Sequence, residues 1–152
     1  MNLTNEVAIT FPSRSSNEGY ARAAVSAFAA QLDPTLEEVG DIKTAVSEAV
    51  TNCIVHAYPD CVGKIYIRLR IYDSNILEIV VRDRGKGISD IEQAKEPMFT
   101  TGGEDRAGMG FTIMESFTDK LKIRSKPGQG TTVTMRKKIS MRIGGLPRDK
   151  HN

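Results

Sequence analysis

The sequence predicts an α/β two-layer sandwich (α+β in its chain order): a single domain with one mixed, mostly antiparallel sheet and helices on one face. Three observations carry this. A strand-like alternation near the N-terminus is followed by two amphipathic helices, and the later chain is dominated by hairpin-linked strands. The 152 residues show no internal repeat or low-complexity segment and leave room for one core. At 39% hydrophobic and 26% charged residues, the composition is that of an ordinary globular chain.

The elements follow in order. Val7, Ile9 and Phe11 alternate with Ala8 and Thr10, a strand that Pro12 ends. Ser15 and Glu18 have capping-box spacing, and Ala21, Ala24, Val25, Phe28 and Leu32 recur at helical intervals, so a first helix runs to about Leu32. A second opens at Asp33-Pro34, with Asp33 as N-cap and Pro34 at the first helical position. Its apolar stripe is Val39, Ile42, Val46, Ala49, Val50, Cys53 and Ala57; Glu48, Asn52 and His56 form a polar row beside that stripe. A row at that edge can face a cleft between the helix and whatever it packs on.

Ile65, Ile67, Leu69 and Ile71 alternate with Tyr66, Arg68, Arg70 and Tyr72, the outer face of a strand. Asp73-Ser74-Asn75 turns the chain, and Ile76 to Arg82 is the returning strand. From Asp83 to Gly110 the chain is rich in Gly, Thr and charge, with a short helical patch around Ile91 to Ala94; a loop of that length in a compact domain is functional or disordered. Phe111 to Phe117 reads as a helix. Leu121 to Ser125 and Thr131 to Lys137 read as strands joined by Pro127-Gly128-Gln129-Gly130. The expected organisation is a domain over 1–138 and a basic, disordered tail over 139–152.

Charge narrows the function classes. The net charge is +2, but residues 136–152 alone carry +5, which leaves −3 on the first 135. An acidic body with a short basic end is a poor duplex-DNA binder, and no direct nucleic-acid contact is expected. No apolar run approaches the roughly 18 residues of a membrane span, and MNLTNEVAIT lacks the basic-then-apolar order of a signal peptide, so a cytoplasmic protein without membrane contact is expected. Cys53 and Cys61 make neither a disulfide framework nor a zinc motif, and Cys53 falls on the apolar stripe as a small buried hydrophobe.

Three clusters carry chemistry: Ser47 to Asn52 (SEAVTN), Asp83 to Ile88 (DRGKGI) and Arg106 to Phe111 (RAGMGF). Each alone has a bland reading as helix face, turn or tight loop. Together they suggest phosphate chemistry. A glycine-rich turn running into a helix presents unpaired amides and the positive end of the helix dipole. The Asn52 amide is an oxygen ligand suited to Mg²⁺, and Glu48 one turn earlier can accept a proton from an attacking hydroxyl. The Walker and protein-kinase motifs are absent, so any ATP is bound by another route.

The ordered set resembles the GHKL ATPases. Glu48 and Asn52 match the family's ExxxN helix, Asp83, Gly85 and Gly87 its DxGxG box, Gly108 and Gly110 the GxG that ends its mobile lid, and Gly130-Thr131 its final strand entry. Within the superfamily, SEAVTNCIVHAY, EPMFTT and GMGFTIMESF are similar to the anti-sigma-F family of sporulation serine kinases; Ala57 departs from the glycine more usual there. The resemblance implies ATP and Mg²⁺ as cofactors. Asp83 would receive the adenine amino group, supported by Thr131, and Gly85 and Gly87 would admit the base. Asn52 would hold Mg²⁺, and the amides of Gly108, Met109 and Gly110 would meet the phosphates. Arg106 would contact the terminal phosphate and Thr100 and Thr101 the nucleotide, while Glu48 would be the general base. His56 reads as structural, and Arg22 matches a contact to a sigma partner.

The length argues against the superfamily members that need further domains. No His precedes the first helix, as a histidine kinase would require. The implied function is an ATP-dependent anti-sigma factor that holds a sigma-F-type factor and phosphorylates a serine of an anti-anti-sigma factor, as a homodimer. A general-stress kinase, or an ATP-ordered sigma-binding module without appreciable catalysis, would carry the same motifs.

Overall fold

A computed structural model describes residues 1–88 and 104–141, and of 104–108 the backbone alone. Its strands are β1 (Leu3–Pro12), β2 (Lys64–Tyr72), β3 (Ile76–Asp83), β4 (Lys120–Lys126) and β5 (Gly130–Lys138), in the order β1-β2-β3-β5-β4. The helices are α1 (Glu18–Ala29), α2 (Leu36–Asn52) and α3 (Glu104–Phe117). All four strand pairings are antiparallel, where the sequence reading expected a mixed sheet. The connections explain the difference. Two helices between β1 and β2 return the chain to the end of the sheet it left, so β2 must run back along β1. Among the described residues one helix lies between β3 and β4; those two strands are parallel in direction, but β5 lies between them and opposes both.

The core lies between the sheet and the helical layer. Val25 and Phe28 from α1, Ile42, Val46 and Val50 from α2, and Phe111 and Met114 from α3 pack on Ile65, Ile67, Leu69, Leu77, Ile79, Val81, Val133 and Met135. The period-2 alternation of β2 puts its isoleucines and leucine inward and its Tyr/Arg row outward, as read from the sequence. On that outer face Glu78, only 3% exposed, is bridged by Arg70 at 3.3 Å and Arg136 at 2.7 Å, and Arg70 also meets Glu6. This ladder ties β1, β2, β3 and β5 together across their register.

Helix ends differ from the expectation. Ser15–Asn17 is a short 3₁₀ turn and α1 starts at Glu18, with no side-chain cap. Glu18 is drawn instead to Ser47 of α2 (2.6 Å) and Arg22 (2.9 Å). α2 is capped by Thr35, not Asp33: Thr35 Oγ1 accepts from the Glu38 amide at 3.1 Å and Glu38 accepts from the Thr35 amide at 2.9 Å. Asp33 sits in the left-handed region, at φ 54°. The chain keeps helical sense past Asn52 through a π-helical turn, Cys53–Ala57. Packing also continues beyond Lys138. Ile139 is fully buried, its amide bonded to the Asn75 carbonyl, and Ser140 binds Glu38. The expected tail therefore begins no earlier than Met141, and residues 142–152 lie outside the described ones.

These caps can be separated by substitution. Thr35→Ala is expected to lower unfolding stability by about 1 kcal/mol, and Ser15→Ala by less than about 0.5 kcal/mol, in urea denaturation of the full chain. Equal losses would show that Ser15 caps α1 after all.

Candidate functional site

The site is built at the end of the sheet where β3 stops and β5 starts. Asp83 is 5% exposed, and its Oδ1 accepts the amides of Gly85 (2.9 Å) and Thr131 (3.2 Å). Its Oδ2 accepts the thiol of Cys53 at 3.6 Å. Burial holds the carboxyl above its ordinary value of 3.8, against the three hydrogen bonds, which pull it down. The same burial and the neighbouring carboxylate push the Cys53 thiol well up, so it stays protonated as a donor.

The turn that follows is held from several sides. The Tyr58 hydroxyl accepts the Arg84 amide at 2.6 Å and donates to the Lys64 carbonyl at 2.8 Å. Burial raises the Tyr58 phenol despite its bond from the Arg84 amide. Ser125 Oγ accepts the Ile88 amide (2.8 Å), donates to the Gly130 carbonyl (3.0 Å) and lies 2.8 Å from Thr131 Oγ1. Gly87 has φ +76°, and a side chain there would run into the Lys126 carbonyl, so glycine is required where this turn crosses the β4–β5 turn.

Glu48, Asn52 and His56 lie half-buried in a row along α2 and its π-helical extension. α3 closes over the first two. A methyl group at Gly110 would come within 3.0 Å of Asn52 Oδ1, 3.1 Å of Asn52 Nδ2 and 3.3 Å of Glu48 Oε1. The absent side chain is what lets the helix approach so closely. Asn52 Nδ2 is buried with no hydrogen-bond partner among the described residues. An orphaned donor of this kind costs about 1–3 kcal/mol.

A cavity of about 40 Å³ connects the two parts, lined by Asn52, Cys53, His56, Asp83, Phe111 and Thr131 among others. The structure thus brings together Asn52, Asp83, Gly87 and Thr131 around one space, with Gly85 bonded to Asp83 and Glu48 beside Asn52 beneath Gly110. The lid glycines differ from expectation. α3 begins at Glu104, seven residues ahead of the predicted start at Phe111, so Gly108, Met109 and Gly110 lie inside the helix. Their amides point at carbonyls one turn back rather than standing free. Met109 is 53% exposed and does not line the cavity. Arg106 falls in the first turn of α3, its side chain outside the description, and Thr100 and Thr101 lie outside the described residues. Arg22 is on the exposed side of α1, paired with Glu18.

Sequence reasoning missed Cys53, Tyr58 and Ser125 as parts of the site. Cys53 was placed on the buried stripe correctly, but its thiol meets a carboxylate. Tyr58 and Ser125 act through a hydroxyl on backbone amides, which leaves no spacing signature.

A family model described as a histidine kinase-like ATPase domain matches residues 11–137. Proteins named anti-sigma F factor from Caldanaerobacter subterraneus and Bacillus subtilis are 57% and 49% identical to the chain over 140 residues; each alignment covers 91% of it, and 97% and 95% of those proteins. Among solved structures, the RsbU and RsbW domains of a Mycobacterium tuberculosis protein superpose with a TM-score of 0.68 at 21% identity, over 91% of this chain and 34% of that one. The histidine kinase domain of a blue-light activated protein from Erythrobacter litoralis superposes at 0.56 and 20% identity, over 80% and 61%. The structural likenesses speak for the architecture. The sequence likenesses run the length of the chain and enclose every motif from Glu48 to Thr131. By the family model and the sequence likenesses, the chain belongs to the histidine kinase-like ATPase family, among the anti-sigma F factors.

Proposed function

We propose that the chain is an anti-sigma factor and serine kinase: with MgATP bound it holds a sigma-F-type factor, and it transfers the terminal phosphoryl group to a serine of an anti-anti-sigma factor. The observation that carries this reading is the Glu48–Asn52 pair, one helical turn apart beneath Gly110, beside a cavity walled by Asp83. The side-chain oxygen of Asn52 is of the kind Mg²⁺ takes, its buried, unpartnered Nδ2 has a hydrogen bond left to give a phosphate oxygen, and the ion would supply charge neutralisation along the phosphates.

Each residue then has a task. Asp83 accepts the exocyclic amino group of adenine on Oδ2, with Thr131 bracing the carboxylate from β5. The seryl oxygen attacks the terminal phosphorus in line, the bond to the bridging oxygen breaks, and ADP leaves. Glu48 takes the seryl proton, and Arg106 meets the charge on the transferring group. A 40 Å³ cavity is far below the roughly 300 Å³ or more of a ligand site, so the cleft widens around a nucleotide. The first two turns of α3 are the economical place for this: unwound, they free the amides of Gly108, Met109 and Gly110 for phosphate, with Thr100 and Thr101 contributing from the preceding segment. Arg22, kept on the surface by Glu18, is the contact offered to sigma, and a homodimer is the assembly that this reading takes. The engaged lid amides favour a second reading, in which ATP orders the lid for sigma binding without appreciable turnover.

Label transfer from γ-labelled MgATP separates the two. The kinase reading expects an acid-stable, alkali-labile phosphate on the anti-anti-sigma protein, and loss of at least about 100-fold in rate for Glu48→Ala with nucleotide affinity changed less than about threefold. Transfer by Glu48→Ala at the wild-type rate would remove the base assignment, and a sigma-binding protein without turnover leaves the second reading. Gly110→Ala is expected to depress transfer by at least about tenfold, since its methyl group crowds both Glu48 and Asn52. The raised Asp83 value has a sign: the protonated form is favoured in the fold, so stability present below pH 3.8 declines as pH rises through the folded value. Asp83→Asn should therefore flatten this part of the stability–pH curve of the nucleotide-free protein, measured by urea denaturation from pH 3 to 7.

A further inference from the structure

We infer that Cys53 is a specificity-determining residue of the base pocket: its thiol holds Asp83 Oδ2 so that one acceptor position remains, matched to a 6-amino purine and mismatched to a 6-oxo purine. This rests on the reading of the cavity as the adenine site. It goes beyond that reading by adding a residue outside the ExxxN, DxGxG and GxG positions.

The argument is an inventory of lone pairs. A carboxylate offers about four acceptor positions, two on each oxygen. Both positions of Oδ1 are used, by the Gly85 amide at 2.9 Å and the Thr131 amide at 3.2 Å. On Oδ2 the Cys53 thiol takes one position at 3.6 Å, and no other donor reaches it among the described residues. Asp83 and Cys53 both line the cavity, so the last position of Oδ2 is the one a base can meet. A 6-amino group donates to it. A 6-oxo group turns a second acceptor toward a buried carboxylate, which is repulsive in a low-dielectric wall.

The thiol limits this carboxylate in two ways. It fixes the rotation of a group whose other oxygen is already pinned, and it denies Oδ2 a second donor. With alanine at position 53 the oxygen would have two open positions and a small void beside it. A water could then occupy the void and donate to Oδ2 in place of the base, and the same water could turn to bridge a 6-oxo group. Selectivity would drop even where packing survived. Ala49, Val81 and Val133, which also line the cavity, are apolar and cannot substitute for the thiol.

The test is a comparison of dissociation constants for MgATP and MgITP with the full chain, for wild type, Cys53→Ala and Cys53→Ser, by calorimetry. Cys53→Ala is expected to weaken ATP about fivefold to tenfold, with ITP changed by less than about twofold, so that the ATP/ITP ratio falls. Cys53→Ser, which restores a donor, should recover the ratio to within about threefold. A ratio unchanged in Cys53→Ala, whether both affinities fall together or neither moves, overturns the inference and leaves Cys53 as packing. If Cys53→Ala fails to fold, the serine variant decides: a wild-type ratio supports the donor role and an alanine-like collapse of selectivity refutes it. Wild type binding neither nucleotide would sink the adenine reading itself, a result distinct from tight ATP binding with an indifferent Cys53.

Discussion

The structure turns on a buried carboxylate at the end of a strand. Asp83 stands where β3 leaves the sheet, 5% exposed, and an acid in that position is tolerated only if its oxygens are answered. The answers come from three elements at once: the turn after β3 through Gly85, the first residues of β5 through Thr131, and the α2 extension through Cys53. Seating this one side chain therefore demands that the β3 turn fold back, that β5 enter beside it, and that α2 continue past Asn52. Ordinary packing would ask for none of these. The residual cost shows as a carboxyl held above its usual range by burial.

The same economy governs α3. Glycines in a helix are disfavoured by about 1 kcal/mol each relative to alanine. Gly110 is nonetheless placed where even a methyl group would press on Asn52 and Glu48. Close approach of α3 to α2 thus has a local cost and brings Glu48, Asn52 and the backbone of α3 within a few ångströms of one another. A glycine-weakened N-terminal half is also the half that unwinds most readily. The feature that permits a closed cleft also permits an open one, so the helix end can answer to a nucleotide without disturbing Phe111 and Met114, which anchor its C-terminal half in the core.

Much of the fold was legible because burial imposes a period. The isoleucines of β2 and the stripe of α2 were placed correctly from alternation and helical spacing alone. The misses have specific causes. At the start of α2 two signals competed, Asp33-Pro34 and Thr35-x-x-Glu38; the reciprocal box won because it satisfies two amides, while Asp33 went to a left-handed turn. The extent of α3 was hidden by its glycines, whose reason for being helical is tertiary. Ile139 looked like the first residue of a tail because a lone apolar residue after two lysines has no periodicity to reveal it.

The site was legible in a different way. Glu48, Asn52, Asp83 and Thr131 stood out because ExxxN, DxGxG and the G-T entry occur in one order, and the gathering of Asn52, Asp83 and Thr131 around one cavity, with Glu48 a turn before Asn52, follows from the topology. α2, β3 and β5 all bring those residues to the same end of the sheet, since each strand or helix reverses its predecessor. Cys53 could not be found in that way. A cysteine on an apolar stripe has two fates, packing or donating, and which it takes depends on what the sheet presents beneath it. Here the sheet presents Asp83, a residue thirty positions away whose own environment is set by β5. Chemistry that depends on three elements converging is invisible to any one of them, and motif order reveals only the residues that the motifs name. The role of Cys53 emerges from the accounting of donors and acceptors around a buried charge.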